Sequence, residues 1–228
     1  MIFSKSNLYY PLPPIKLYGN PLPFSHKFKL LGIILDTRLT WKHHLISIEG
    51  KLSKACGILY RIRNKVTRAV ARIIYLSIAY PYLIYCNTIW SGCYSSYLDK
   101  IITKQKKIIR IIMKRHRNAH TPPLFKKLRL LNVSHINEFS CLVFVFKSLN
   151  NIIYSPLVIN HRYVRNYQLR NNNNQLEVPF TRHRYAQLFI SVRGPNLWNN
   201  IPIHIRTAPS LITFKRNLKL FFLNSYAQ

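Results

Sequence analysis

Apolar residues recur at steps of three and four over much of this chain, which is the spacing of one face of an α-helix. A first long helix is predicted to follow Thr40, whose side chain is suited to be its N-cap. Its apolar face contains Leu45, Ile48, Leu52, Cys56, Leu59 and Ile62. A second helix is predicted after Thr67 and should end or bend at Pro81, because the proline ring clashes with the preceding turn.

The clearest helical pattern covers residues 95–116 and has two different sides. Its apolar side contains Leu98, Ile101, Ile102, Gln105, Ile108, Ile109, Ile112 and Met113. Its other side carries Lys100, Lys104, Lys106, Lys107, Arg110, Lys114 and Arg115. Most charged helix faces are simply solvated. Here no acidic residues alternate with the bases to form i,i+4 pairs, so a surface that binds phosphates is about equally well supported.

Capping residues mark three further helix starts. Thr121 precedes two prolines that suit a first helical turn, and Ser134 opens another apolar helix. After Asn150 a loop is predicted that includes the asparagine run at residues 171–174. Ser210 is predicted to cap a last amphipathic helix. The inward positions of that helix are Leu211, Phe214, Leu218 and Phe221.

Two stretches have the pattern of β-strands instead. A β-hairpin is predicted from residues 15–18, the turn-prone pair Gly19-Asn20 and the apolar run 27–36. Within this run Gly32 marks a bulge or a close backbone approach. A short strand is predicted before a turn at Gly194-Pro195. Its alternating residues are Leu188, Ile190 and Val192. The predicted fold is therefore mainly α, a helical bundle with a small N-terminal β-hairpin and a short C-terminal strand.

The net charge of the chain indicates what kind of partner it binds. The 228 residues include 35 Lys and Arg against 5 Asp and Glu, a formal net charge of +30. Such a charge attracts polyanions, so nucleic acid is the first partner to consider. The acids are Asp36, Glu49, Asp99, Glu138 and Glu177. Since no two are close in sequence, no local carboxylate pair is available to hold two metal ions, and no catalytic residue is predicted.

The cysteines indicate a reducing environment. They are Cys56, Cys86, Cys93 and Cys141, without a C-x-x-C pair. We expect an intracellular protein, with nucleus and cytoplasm both open. Cys86 and Cys93 could be combined with His116 and His120 into a zinc site, but their spacing is wider than structural zinc sites use, and no metal site is predicted. The uncharged residues 73–98 are too polar for a membrane span, so no membrane partner is expected.

Several motifs together resemble one family, the C-terminal part of reverse transcriptases from non-LTR retrotransposons of the LINE type, in particular jockey-like elements. The motifs are residues 28–36 (FKLLGIILD) with Leu39, Trp41 and His44, residues 80–86 (YPYLIYC) with Trp90, residues 105–112 (QKKIIRII), residues 119–125 (AHTPPLF), residues 194–202 (GPNLWNNIP), and Phe214-Lys215 with Leu218-Lys219. Each is weak alone, but their order across almost the whole chain makes the resemblance strong.

The resemblance implies three regions. Residues 1–39 correspond to a remnant of the catalytic palm, with a primer-grip-like hairpin at Leu31 and Gly32. Residues 40–150 correspond to the helical thumb, and residues 151–228 to a basic C-terminal region with one terminal helix. The family's polymerase motif, a Tyr followed by paired aspartates, is expected upstream, with Met1 an internal methionine of a longer enzyme. Mg²⁺ is expected only in the full-length polymerase, and no cofactor is expected in this fragment.

These expectations combine into one prediction of function. The chain should be a truncated RNA-directed DNA polymerase fragment, inactive alone, that binds an RNA or DNA template-primer through phosphate contacts and has the palm of a full-length enzyme as its protein partner. The predicted nucleic-acid-binding residues are Lys104, Lys107, Arg110, Lys114 and Arg115. The alternative is a basic interaction or vestigial structural fragment without specific activity, which steep salt dependence of duplex binding would exclude.

Overall fold

The computed structural model describes residues 3, 13, 15–155, 175–182 and 186–227, so the asparagine run predicted to be a loop lies outside the described residues. Within these residues the strands form two antiparallel hairpins near the N-terminus. The strands are β1 (Lys16–Leu17), β2 (Asn20–Pro21), β3 (Lys27–Leu30) and β4 (Ile33–Asp36). The predicted N-terminal hairpin is confirmed, but the apolar run 27–36 is itself a complete hairpin, with Lys27 opposite Asp36.

The turn of the second hairpin explains Gly32. Leu31 and Gly32 connect β3 to β4, and their φ angles are 46° and 86°. Positive φ at both central residues is the geometry of a two-residue type I′ turn, whose twist matches that of the flanking strands. Glycine adopts this conformation without the steric cost that a Cβ brings. Gly32 is therefore a turn residue, and the predicted bulge is absent from this hairpin.

Helices form most of the remaining described chain. They are α1 (Lys42–Ile62), α2 (Arg68–Ile78), α3 (Tyr80–Ile84), α4 (Asn87–Trp90), α5 (Ser95–Ile112), α6 (Pro122–Leu128), α7 (Val133–Leu149), α8 (Ile190–Asn200), α9 (Ile203–Arg206) and α10 (Leu211–Asn224). The predicted mainly α fold with a small N-terminal β-hairpin is confirmed.

The C-terminal region differs from its prediction. The strand predicted over Leu188, Ile190 and Val192 is wrong, because a 3-10 turn at Ala186–Leu188 is followed directly by α8. The predicted terminal helix is α10, and α8 and α9 precede it as further helices of this region. A methyl group on Gly194 would lie 2.9 Å from Cγ2 of Val145 on α7. This glycine therefore permits close packing of two helices, where the sequence predicted a turn.

The helix start predicted after Thr67 and the cap predicted at Ser210 are confirmed. The Thr67 hydroxyl accepts a hydrogen bond from the backbone N–H of Val70 at 3.3 Å, at the start of α2. The Ser210 hydroxyl accepts one from the backbone N–H of Thr213 at 3.2 Å, at the start of α10. Each bond satisfies one of the amide groups that a first helical turn leaves without a partner.

Two other predicted helix starts differ in outcome. Helix α6 begins at Pro122, directly after Thr121 as predicted, although the Thr121 side chain makes no capping hydrogen bond. The next helix, α7, begins at Val133, one residue before the predicted Ser134. Its cap is Asn132, whose side-chain oxygen accepts a hydrogen bond from the backbone N–H of His135 at 2.8 Å. Asparagine and serine are comparable caps, so the sequence pattern could not choose between these neighbouring positions.

A buried carboxylate organises the connection between β4 and α1. Asp36 is 8% exposed and accepts hydrogen bonds from the backbone N–H groups of Arg38, Thr40 and Trp41 at 3.1, 3.0 and 3.1 Å. The Thr40 hydroxyl also donates to it, at 3.1 Å. Thr40 is therefore not the predicted N-cap, because it belongs to the Asp36 network and α1 begins only at Lys42.

One continuous hydrophobic core extends from Ile33 to Tyr226 in the described chain. Helices α1 and α5 form its most extensive pair. The predicted inward residues of α1 are buried, except Ile62, which is partly buried. Stacked aromatic rings join the C-terminal helices to α7, with the ring centroids of Phe146 and Phe214 4.3 Å apart and Trp198 packed beside them.

A polar side chain lies in the middle of the apolar face of α5. Gln105 is fully buried, and its amide nitrogen donates hydrogen bonds to the Tyr75 hydroxyl at 2.9 Å and to the Leu131 carbonyl at 3.0 Å. Its amide oxygen accepts one from the backbone N–H of Val133 at 2.9 Å. The three bonds join α2 and α5 to the connection between α6 and α7, and they satisfy groups that burial would leave unpaired.

We predict that replacing Gln105 with leucine lowers the free energy of unfolding by about 2–4 kcal/mol, since each buried group left unsatisfied costs about 1–3 kcal/mol. Urea unfolding followed by circular dichroism measures the change. Ile108→Leu on the same buried face is the control and should cost less than about 1.5 kcal/mol. Equal stability losses in the two variants would show that the hydrogen bonds of Gln105 contribute nothing beyond packing.

His44 on α1 is held in its neutral form. Its Nδ1 accepts a hydrogen bond from the backbone N–H of Ile34 at 3.4 Å, and its buried Nε2 has no hydrogen-bond partner among the described residues. Burial lowers the pKa of His44, and the positive charge of Lys51 lowers it further. A protonated ring would therefore place an unpaired charge in the core.

His135 on α7 is also held neutral, at the other end of the core. Its ring stacks on those of Phe222 and Tyr226, with centroid distances of 4.8 and 4.9 Å. The Tyr226 hydroxyl accepts a hydrogen bond from the backbone N–H of Asn132 at 2.8 Å and lies 2.9 Å from Nδ1 of His135. It can therefore donate its own hydrogen to an unprotonated Nδ1. Burial lowers the pKa of His135.

These two histidines predict a loss of stability on acidification. Because their pKa values are lower in the folded state, the unfolded chain binds more protons as the pH falls below about 6.5, and the free energy of unfolding decreases. Urea unfolding at pH 7.5 and pH 5.5 should show this decrease, and His44→Gln and His135→Gln should each make it smaller. Burial raises the pKa of Glu138, which acts in the opposite direction, so the comparison of variants isolates the histidines. A decrease of the same size in both variants and the wild type would contradict the assignment.

Candidate nucleic-acid interface

The basic side of α5 borders a groove that α1 completes. The groove has a volume of about 460 Å³. Its lining residues are Ser53, Cys56, Gly57, Tyr60, Lys104, Lys107 and Ile111. The Lys107 side chain is exposed, whereas the Lys104 ammonium lies 3.9 Å from the carboxylate of Glu49 on α1. The groove therefore contains one partly neutralised cation and one that has no carboxylate partner among the described residues.

The groove combines positive charge with an aromatic rim. Burial raises the pKa of the Cys56 thiol, while Lys107 and Lys104 act against that shift, so both ammonium groups are close enough to affect the groove wall. At the rim the exposed Tyr60 ring is covered by the Arg63 guanidinium, 4.0 Å from the ring centroid. Cations that follow a phosphate backbone, with aromatic rings beside them, are the usual components of a surface that holds a single nucleic-acid strand.

Helix α5 ends four residues earlier than its sequence pattern predicted. After Ile112 the backbone turns into the left-handed region, with Lys114 at a φ of 51°. The Lys114 N–H donates to the Ile111 carbonyl at 3.1 Å, and the Arg115 N–H donates to the Arg110 carbonyl at 2.9 Å. These crossed bonds form a Schellman ending, which closes the helix before the predicted His116.

The five predicted binding residues consequently have different surroundings. Lys104 and Lys107 lie together on the groove. Arg110 is partly buried, and its Nε donates a hydrogen bond to the Ala119 carbonyl at 2.9 Å, which holds the loop between α5 and α6. Lys114 and Arg115 are exposed in the turn that follows α5, outside the helical stripe in which they were predicted. Their role in binding stays a prediction.

The predicted primer-grip-like residues lie at the tip of the second hairpin. The Leu31 side chain is 82% exposed, and its carbonyl accepts a hydrogen bond from the Tyr85 hydroxyl at 2.5 Å. A methyl group on Gly32 would be in ordinary contact with the Tyr85 ring, at 3.6 Å. The tip is therefore attached to the end of α3, while the Leu31 side chain points away from the core.

The two strands of this hairpin differ in burial. On β4 Ile33 is buried, and Leu35 packs partly against the core. Phe28 and Leu30 on β3 are exposed, as is Leu31 in the turn. Packing against α1 thus covers part of the apolar run 27–36, and β3 still presents an apolar surface.

Sequence analysis missed a second basic surface. An open cleft of about 450 Å³ is lined by Arg68 and Arg72 from α2, by Lys127 from α6, and by Arg129 just after α6. Its floor includes Met113, at the C-terminal end of α5. The available signal was the i,i+4 pair of arginines at the start of α2, but nothing in the sequence indicates that α6 lies beside it.

No ligand set for a metal ion occurs in the part of the chain that the structure describes. Cys86, Cys93, His116 and His120 do not form a group of three or more ligands there. The Mg²⁺ that the family resemblance implies for a whole polymerase therefore has no fitting site among these residues. Among the described helices, none is both long and apolar enough to cross a membrane.

Comparison with curated proteins finds RNA-directed DNA polymerases of mobile elements. The chain is 29% identical over 132 residues to the probable RNA-directed DNA polymerase from transposon X-element of Drosophila melanogaster, which covers 56% of this chain and 14% of that protein. It is 31% identical over 104 residues to the RNA-directed DNA polymerase from mobile element jockey of Drosophila funebris, and 32% identical over 103 residues to that of Drosophila melanogaster. Each of these two alignments covers 44% of this chain and 11% of the relative.

The comparisons confirm the resemblance found in the sequence motifs. This chain contains a region similar to the RNA-directed DNA polymerases of jockey-like non-LTR elements, and its matches span between 11% and 14% of the length of those curated relatives. No protein-family model matches the chain, and no solved structure matches it.

Proposed function

We propose that this chain is a nucleic-acid-holding part of a non-LTR retrotransposon reverse transcriptase, with a thumb-like role for residues 40–150. The observation that carries the proposal is the groove between α1 and α5. Within the part of the chain that the structure describes, Lys107 has no carboxylate partner there and Lys104 has one distant partner. A phosphate backbone supplies the negative charge that the chain itself lacks, and binding it releases condensed counterions. The curated relatives are polymerases, which is consistent with a template-primer as the ligand.

The hairpin tip has a second role in this proposal. The Leu31 side chain projects into solvent from a backbone that the Tyr85 hydroxyl holds in place. A rigid tip of this kind can support the end of a primer strand. The exposed apolar side chains of Phe28 and Leu30 then face the palm domain of a full-length enzyme.

In this proposal the groove binds its ligand and catalyses no reaction. Phosphoryl transfer requires carboxylates that hold metal ions at the reacting phosphate. The acidic residues of this chain are too far apart in sequence for that purpose. Two of them already have partners: Asp36 accepts hydrogen bonds from the backbone before α1, and Glu49 lies beside Lys104. The role of these residues is to position the strand.

We predict that replacing Lys107, Lys114 and Arg115 with glutamine weakens binding to RNA–DNA and DNA duplexes of any sequence. Each lost phosphate contact should lower the slope of log affinity against log salt by about 0.9 on B-DNA. Fluorescence anisotropy at several NaCl concentrations measures the slope. A range of about 50 to 200 mM is suitable, because affinity through phosphate contacts falls steeply over it.

The control variant carries Lys42→Gln, Lys54→Gln and Arg61→Gln on the exposed side of α1 and loses the same charge. Its slope should stay close to that of the wild type. Equal slopes in the two variants would favour the alternative of a basic interaction fragment whose whole surface attracts anions.

We also predict that the purified chain does not extend a primer. Since its 228 residues contain no adjacent aspartates, neither Mg²⁺ nor Mn²⁺ should support incorporation of nucleotides on a primed RNA template. The comparison is with heat-treated protein in the same gel assay. Incorporation above that background would overturn the proposed division between holding and catalysis.

A further inference from the structure

The cleft at the end of α5 gathers basic side chains from separate parts of the chain. Arg68 and Arg72 come from α2, Lys127 from α6, and Arg129 from the residue after it. Burial lowers the pKa of a fifth cation, Lys219 on α10, and the nearby charges of Arg72 and Arg129 lower it further. Three helices that are distant in sequence thus direct positive charge to one place.

No carboxylate neutralises this cluster. None of the five cations has an acidic group within ion-pair distance among the described residues. Arg68 and Arg72 are also an i,i+4 pair of like charges, which destabilises a helix. An arrangement that opposes folding in the absence of a ligand becomes favourable when an anion occupies the cleft.

One arginine is already positioned for an anion. The Nε of Arg72 donates a hydrogen bond to the Leu128 carbonyl at 2.8 Å, which fixes the plane of its guanidinium group. This bond uses one of the five N–H donors of an arginine and leaves the two terminal nitrogens for a ligand. A planar group held in this way matches the paired oxygens of a phosphate.

The other lining residues indicate which part of a ligand the cleft contacts. Ala69, Met113 and Leu128 supply an apolar floor, and no aromatic ring is among the lining residues. The cleft therefore lacks the aromatic side chains on which single-strand binding surfaces usually stack bases. Its cations can bind phosphates whatever the sequence.

We propose that this cleft binds phosphate groups of a nucleic-acid strand, as a second basic site beside the groove between α1 and α5. Ile111 lines the groove and Met113 lines the cleft. Positions two apart on a helix do not face each other, so the two sites lie on different sides of the C-terminal end of α5. The identity of the strand rests on the proposed function, whereas anion binding in the cleft does not.

The test uses the full chain with Arg68→Gln, Lys127→Gln and Arg129→Gln, three exposed cations of the cleft. The α1 variant with Lys42, Lys54 and Arg61 replaced by glutamine is matched in charge. The probes are inorganic tripolyphosphate, measured by isothermal titration calorimetry, and a 20-base-pair RNA–DNA duplex, measured by anisotropy. We expect the cleft variant to bind tripolyphosphate at least tenfold more weakly than the control variant and to bind the duplex with a smaller salt slope.

Each of the other outcomes would contradict the anion site, the nucleic-acid strand as its ligand, or the groove. Equal tripolyphosphate affinities in the cleft and control variants would overturn the anion site. Weaker tripolyphosphate binding with unchanged duplex binding would assign the cleft to a free oligophosphate and overturn the nucleic-acid strand as its ligand. Loss of duplex affinity in the cleft variant alone, with no change in the Lys107, Lys114 and Arg115 variant, would support the cleft and reject the groove. If the triple variant does not fold cooperatively, the double variant Lys127→Gln/Arg129→Gln, which leaves α2 unchanged, gives the same comparison.

Discussion

The buried amide of Gln105 determines how α5 is oriented. Its hydrogen bonds to Tyr75, Leu131 and Val133 can form only when this side of α5 faces the core. The neighbouring Lys104 and Lys107 are thereby directed to the groove beside α1. An apolar side chain at the same position would fill the space but would tolerate small rotations of the helix. The polar contacts inside the protein thus set the position of the charges on its surface.

Three of the five acidic residues interact within the fold. Asp36 satisfies three backbone N–H groups before α1, and Glu49 lies beside Lys104. Glu138 is partly buried on α7, where burial raises its pKa and Arg193 opposes that shift. With these carboxylates occupied, Lys107 of the groove and the cations of the cleft lack acidic partners within the described chain. The scarcity of acid explains both the exposed positive surfaces and the absence of a metal ligand set in this part of the chain.

Local patterns predicted local structure well and tertiary arrangements poorly. The faces of α1 and α10 and the caps Thr67 and Ser210 follow from spacing and from hydrogen bonds within a few residues. The alternating residues 188–192 were wrongly predicted to form a strand, because Gly194 has the local signature of a turn that would end one. In the structure Gly194 instead allows α8 to approach α7. Only the α5 side of the groove was predicted, because the sequence pattern identified the basic stripe of α5 but not its contact with α1. The cleft could not be predicted, because its cations come from helices whose contact depends on the whole core.

The second hairpin is attached to the helical body at its base and at its tip. At the base, Asp36 accepts backbone hydrogen bonds before α1, the Ile34 N–H donates to His44, and Ile33 packs in the core. At the tip, the Tyr85 hydroxyl donates to the Leu31 carbonyl. Because the bond at the tip goes to a backbone group, it does not depend on which side chain stands at position 31. A change of this side chain can therefore alter what the tip contacts while the tip stays attached to the end of α3.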